Sequence, residues 1–125
     1  MEPLMEFGAL LVEHSRDSAI WGCDIILQPE RSAADSKRWR AAAAAAGGLV
    51  PPDLVIPECV DGMVAGLLLA IDQEILRLSF LTERGEIVYL PEAGQSEMCG
   101  WYGGANSWRT WYSKERILDL EDCDI

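Results

Sequence analysis

With 125 residues, half of them apolar, the chain has material for one hydrophobic core and one domain, 1–125, and too little for two. Its 21 acids against 10 bases give a formal charge of −11, a field that repels nucleic-acid phosphates and anionic lipid and favours a basic protein partner. The excess is uneven: residues 1–56 carry eight acids and five bases, residues 57–125 thirteen and five.

The start, Met1-Glu2-Pro3, has no basic segment of the secretory type, and no apolar run approaches the length of a membrane span, so a cytoplasmic location without a membrane is expected. Cys23, Cys59, Cys99 and Cys123 are widely spaced, with no Cys-x-x-Cys pair, which suits reduced thiols first and a disulfide second. Neither a cofactor nor a metal is implied, since zinc sites draw cysteines in close pairs.

In chain order, residues 4–27 read as a first helix in which Phe7, Leu11, His14, Ser18, Trp21 and Ile25 fall near one stripe, with Gly22 as a weak point and Pro29 as the stop. Ser32 then looks like an N-cap with Asp35 in the first turn. A second helix follows from about Ala33 to Ala46, ended by Gly47-Gly48. Its alanine run is expected to lie close against a neighbour. Residues 49–56, with Pro51-Pro52, read as a stiff connector, and Pro57 suits the first turn of a third helix.

That third helix is the largest stabilising element the sequence offers. Val60, Met63, Val64, Leu67, Leu68 and Ile71 share one face, and at ~1.5–3 kcal/mol each their full burial would contribute on the order of 10–18 kcal/mol, an upper bound. Gly62, Gly66 and Ala70 make a stripe of small residues, for which the alanine-rich second helix is the expected occupant. Beyond Glu74 the period changes from 3.6 to 2. Leu76, Leu78 and Phe80 alternate with Arg77 and Ser79, Thr82–Glu86 supplies a turn, and Ile87–Leu90 returns as the antiparallel partner. Residues 92–98 read as a loop. Trp101-Tyr102 and Trp108–Tyr112, joined by Gly103–Ser107, read as a third and fourth strand. The expected fold class is therefore α+β, with about three helices packed on one face of a three- to four-stranded antiparallel sheet. Residues 1–50 would form a helical half, 57–117 a helix plus hairpins, and 118–125 an acidic tail.

No catalytic residue is assigned. His14 is the single histidine, and Ser15, Asp17 and Ser18 beside it do not make a triad, because neighbours on a helix point apart. Glu58 and Asp61 lie three apart on one helix, where they complement its dipole more economically than they form an acid–base pair. Gly100, Gly103 and Gly104 match no phosphate-loop spacing and read as turn residues. Arg31, Lys37, Arg38 and Arg40 form a basic island too small for nucleic acid, able to meet the acidic C-terminal half within the chain or across a dimer.

The expected binding surface is the aromatic segment. Trp101, Tyr102, Trp108, Arg109, Trp111 and Tyr112 fall within twelve residues, and tryptophan and arginine left exposed are the residue types that dominate binding hot spots. Glu97, Asp119, Glu121 and Asp122 would steer a basic partner to it. The order of an acidic helical half, a helix feeding a hairpin, then Gly100-Trp101-Tyr102 and Trp108-Arg109-Thr110-Trp111-Tyr112-Ser113-Lys114 is similar to that of some small bacterial proteins and of immunity proteins that neutralise toxin enzymes. That resemblance carries no residue-by-residue assignment. It implies an acidic, non-catalytic, protein-binding module. The alternatives are a small-ligand binder or hydrolase-like enzyme with a tryptophan-lined pocket using Glu58, Asp61 or His14, and a structural subunit completed by homo-oligomerisation.

Overall fold

The computed structural model describes residues 2–104 and 106–114. A long helical arm comes first: α1 (Pro3–Leu11), a π turn (Val12–Asp17) and α2 (Ser18–Ile26). It is followed by α3 (Ala34–Ala45), α4 (Pro52–Asp72), the strands β1 (Ser79–Leu81) and β2 (Ile87–Tyr89), and three short helices, α5 (Leu90–Ala93), α6 (Met98–Tyr102) and α7 (Trp108–Tyr112).

The expected α+β class is corrected. Helix makes up 63% of the structure, and the only sheet among the described residues is the two-stranded antiparallel pair β1–β2. Its register, Ser79↔Tyr89, Phe80↔Val88 and Leu81↔Ile87, joins at the turn where Thr82 N–H donates to Glu86 O and Gly85 takes a left-handed φ of 87°. The hairpin is present but shorter than expected, its first strand starting at Ser79 rather than Leu76 and Leu90 opening α5, and Phe80, Leu81 and Ile87 are exposed. The proposed third and fourth strands are helices. Trp108, Trp111 and Tyr112 stand at i, i+3 and i+4, a helical spacing that the alternation of large residues masked.

Helix α4 is the organising element. It begins at Pro52 rather than Pro57, so the connector is shorter than expected. Pro57 is buried in its second turn, where a missing N–H forfeits one bond close to the helix start. Its other end closes with Ile75 N–H donating to Ala70 O and Glu74 N–H to Ile71 O, with Glu74 in the left-handed region usually left to glycine. By length and composition α4 could cross a membrane, which corrects the expectation that no stretch is apolar enough.

The small-residue stripe of α4 is occupied, but by the α1–α2 arm and not by α3. Ala19 lies 3.8 Å from the position a Cβ on Gly62 would take, and the His14 carbonyl oxygen 2.7 Å from that of Gly66. The Ser15 hydroxyl donates to Met63 O at 2.9 Å. The π turn explains why the expected stripe misses this face. One extra residue in the turn rotates everything after it, so Ser15, Ala19 and Cys23 face α4 while Trp21 points to solvent. The alanine run of α3 is correspondingly half exposed, and its expected Ser32 cap is not formed.

Ala70, Ile71, Leu76 and Met98 form the buried cluster, with Leu10, Leu67, Leu68, Leu78, Leu90 and Trp108 partly buried around it. Of the six apolar residues expected to line α4, Ile71 is buried while Val60 and Met63 are about half exposed. The core therefore sits at the C-terminal end of α4, and the apolar face is only partly covered.

Candidate protein-interaction surface

Three of the four acids on α4 tie other elements to it. Glu58 accepts from Arg38 and, through Oε2, from the Trp39 indole N–H at 2.8 Å. Trp39 is 2% exposed, so this contact docks α3. One turn on, Asp61 accepts from the Tyr102 hydroxyl at 2.6 Å and from Arg109 Nη1 at 2.8 Å. At the far end, buried Asp72 accepts from the backbone N–H groups of Met98 (3.1 Å) and Cys99 (2.8 Å). That carboxylate serves as the N-terminal cap of α6 from another helix, which no local sequence signal announces. The fourth acid, Asp53, lies in the first turn, where it complements the helix dipole.

Three of the four residues of the basic island are engaged within the chain, and the fourth, Lys37, is exposed. Arg31 pairs with Asp35, Arg38 with Glu58, and Arg40 donates to the carbonyls of Arg31 and Gln28. Glu58 and Asp61, three residues apart on α4, serve different partners: Glu58 holds Arg38 and Trp39, and Asp61 holds Tyr102 and Arg109. His14 has Glu13 at 4.0 Å, and its backbone carbonyl lies against Gly66. Among the described residues no group of three or more His, Cys, Asp or Glu could hold a metal ion.

The aromatic segment forms a corner of two short helices rather than a hairpin. Ser107 and Thr110 hydroxyls both donate to Gly104 O, at 2.9 and 3.1 Å, closing the link between α6 and α7. Trp101 and Trp108 sit with ring centroids 5.8 Å apart at 59°, and Trp111 meets Tyr112 edge-on at 6.2 Å. Exposure is greatest at the end of the corner: Trp111 is 56% exposed and Tyr112 74%, against 36% for Trp101, while Trp108 is half-buried. The Trp111 indole N–H donates to Asn106 Oδ1 at 2.8 Å, which fixes the ring although it faces solvent.

Tyr102 and Arg109 do not face outward. Both are half-buried and fasten the corner to α4 through Asp61. Burial pushes the Tyr102 phenol well above its ordinary value. The hydrogen bond to Asp61 and that carboxylate's charge add to the shift, and Arg109 opposes it. Glu97 is exposed at the N-cap of α6. Asp119, Glu121 and Asp122 lie outside the described residues.

Among the described residues, grooves also lie away from this corner. One of about 420 Å³ lies between α1 and the segment after α4, lined by Phe7, Leu10, Glu74, Ile75, Arg77 and Leu78 among others. The second, of about 340 Å³, runs between α2 and α4 and is lined by Arg16, Ile20, Cys23, Cys59, Val60 and Met63 among others. Neither is lined by tryptophan. Compared with known protein families, curated proteins and solved structures, the chain gives no match.

Proposed function

We propose that the protein is a non-catalytic protein-binding module that takes a basic partner, in its most concrete form an inhibitor of the immunity type covering a cationic active-site cleft. The observation that supports it is an aromatic corner fastened to α4 whose outermost rings, Trp111 and Tyr112, remain in solvent on a molecule of charge −11. Asp72 and Asp61 hold that corner in place, so its rings lose little freedom when a partner covers them. The acids would steer association and the rings would anchor it. An acid–base or metal-assisted reaction has less support, because Glu58, Asp61 and Asp72 are already engaged by partners on other elements. Those same contacts favour α4 as the central helix of a folded domain over a membrane span.

Pull-down followed by titration of the recovered partner tests the proposal. Trp111→Ala is expected to weaken binding by about 2 kcal/mol, roughly 30-fold, and higher salt to slow association. Absence of a partner, or affinity indifferent to Trp111→Ala, overturns it.

A second reading, a subunit completed by self-association, draws on Ile20, Leu27, Ile56, Val60 and Met63, large apolar residues left exposed on α2, the residue after it, and α4. Sedimentation velocity over a concentration series would show a dimer if it holds and a single monomer if it does not.

A further inference from the structure

Helices α2 and α4 run antiparallel, and their register can be followed contact by contact. Ser15 bonds Met63 and Ala19 lies on Gly62; one turn further along α2, Cys23 meets Cys59. The two Sγ atoms are 2.9 Å apart, although the cysteines are separated by 36 residues in sequence. The approach comes from the backbone. Gly62 and Gly66 carry no Cβ, so the two helix axes close until side chains as short as cysteine touch across the interface. The pair is half-buried and lines the 340 Å³ groove between the helices together with Ile20, Val60 and Met63, whose side chains are exposed. A small molecule can therefore reach it from solvent.

We propose that Cys23 and Cys59 are a redox modification site, closing to an intramolecular disulfide that clamps α2 onto α4. The oxidant is a low-molecular-weight disulfide. One protein thiolate attacks a sulfur of that molecule, forming a mixed disulfide and releasing one small thiol. The second protein thiolate then attacks the protein-bound sulfur, which forms the Cys23–Cys59 bond and releases the other small thiol. Two protein thiols are oxidised, one small disulfide is reduced to two thiols, and the two protons leave with the released sulfurs. Burial pushes the Cys23 thiol up to about 12, with the hydrogen bond and charge of Cys59 and the charges of Asp24 and Glu58 acting the same way, so little of it is thiolate at neutral pH and closure is slow. Once closed, the link removes the freedom of a long loop from the unfolded chain, the ordinary source of disulfide stabilisation.

The test uses the reduced full-length protein, incubated with oxidised glutathione, alkylated under denaturing conditions, digested and mapped by mass spectrometry. The expected result is a cross-linked peptide joining Cys23 and Cys59 and lacking two hydrogens, with Cys99 and Cys123 outside the link. The thermal midpoint should rise by several degrees in oxidised wild type and stay unchanged in Cys59→Ser under the same treatment. Separate glutathione adducts on Cys23 and Cys59, a link from either to Cys99 or Cys123, or alkylation of both while Cys99 is oxidised would each overturn the proposal. The peptide map of wild type decides the matter even if the variant does not fold.

Discussion

Single carboxylates on α4 decide where distant segments sit, and each can be tested by removal. Asp72 is buried and accepts two backbone N–H groups at the start of α6. Asp72→Ala leaves the buried Met98 N–H and the half-buried Cys99 N–H without this acceptor and should cost about 2–3 kcal/mol in chemical denaturation. Asp72→Asn keeps one oxygen and should cost less. Tyr102 gives a pH signature. Because its phenol ionises above the ordinary value of about 10 in the folded state, the folded protein holds that proton more tightly than the unfolded chain. The stabilisation is fully present below about pH 10 and is lost as pH rises beyond it. Tyr102→Phe should cost about 1 kcal/mol at neutral pH and flatten the fall in stability above pH 10, read from denaturation midpoints across alkaline buffers.

Among the elements, the contact between α4 and the α1–α2 arm depends on which small residue lies where. At Gly66 a Cβ would fall 2.7 Å from the His14 carbonyl oxygen, and since that atom is backbone, relief requires the helices to part. At Gly62 the nearest atom, the Ala19 Cβ, is 3.8 Å away, an ordinary contact. Gly66→Ala should destabilise by about 1–3 kcal/mol, whereas Gly62→Ala should be neutral or stabilising by up to about 1 kcal/mol through helix propensity. Equal effects in the two variants would show that the arm does not pack in this register. The hairpin is a lesser element. Of its alternating residues Leu76 and Leu78 turn into the core before the strand begins, while Phe80, Leu81 and Ile87 in the paired strands are exposed.

Taken whole, the molecule leaves twenty large apolar side chains exposed among the described residues and buries five hydrophobic residues. That imbalance is what a partner, or a second copy, would relieve. Val60→Glu combined with Met63→Glu, at positions already about half exposed, should leave far-ultraviolet circular dichroism unchanged and abolish any dimer seen in sedimentation. The charge of −11 makes a separate prediction. Raising ionic strength screens self-repulsion and should raise the thermal midpoint of the isolated protein, while the half-buried pairs Arg38–Glu58 and Arg109–Asp61 are weakened little.

Periodicity, proline and glycine alone determined much of the chain: the first helical arm, an alanine-rich helix ended by Gly47-Gly48, a long apolar helix, and a hairpin with its turn at Thr82–Glu86. Those signals are local, set within one turn or one strand pair. The aromatic corner was legible as a cluster but not in its form, because five residues of Trp108–Tyr112 satisfy a two-residue and a 3.6-residue period almost equally, and the deciding acceptor for α6, Asp72, lies 26 residues upstream of Met98. Tertiary structure alone decided which helix fills the glycine stripe of α4, since the π turn at Val12–Asp17 rotates the facing residues and the chain contains two candidate occupants. It likewise decided that Arg109 serves Asp61 while Trp111 and Tyr112 stay in solvent, a division set by distances between helices that no spacing along one helix encodes.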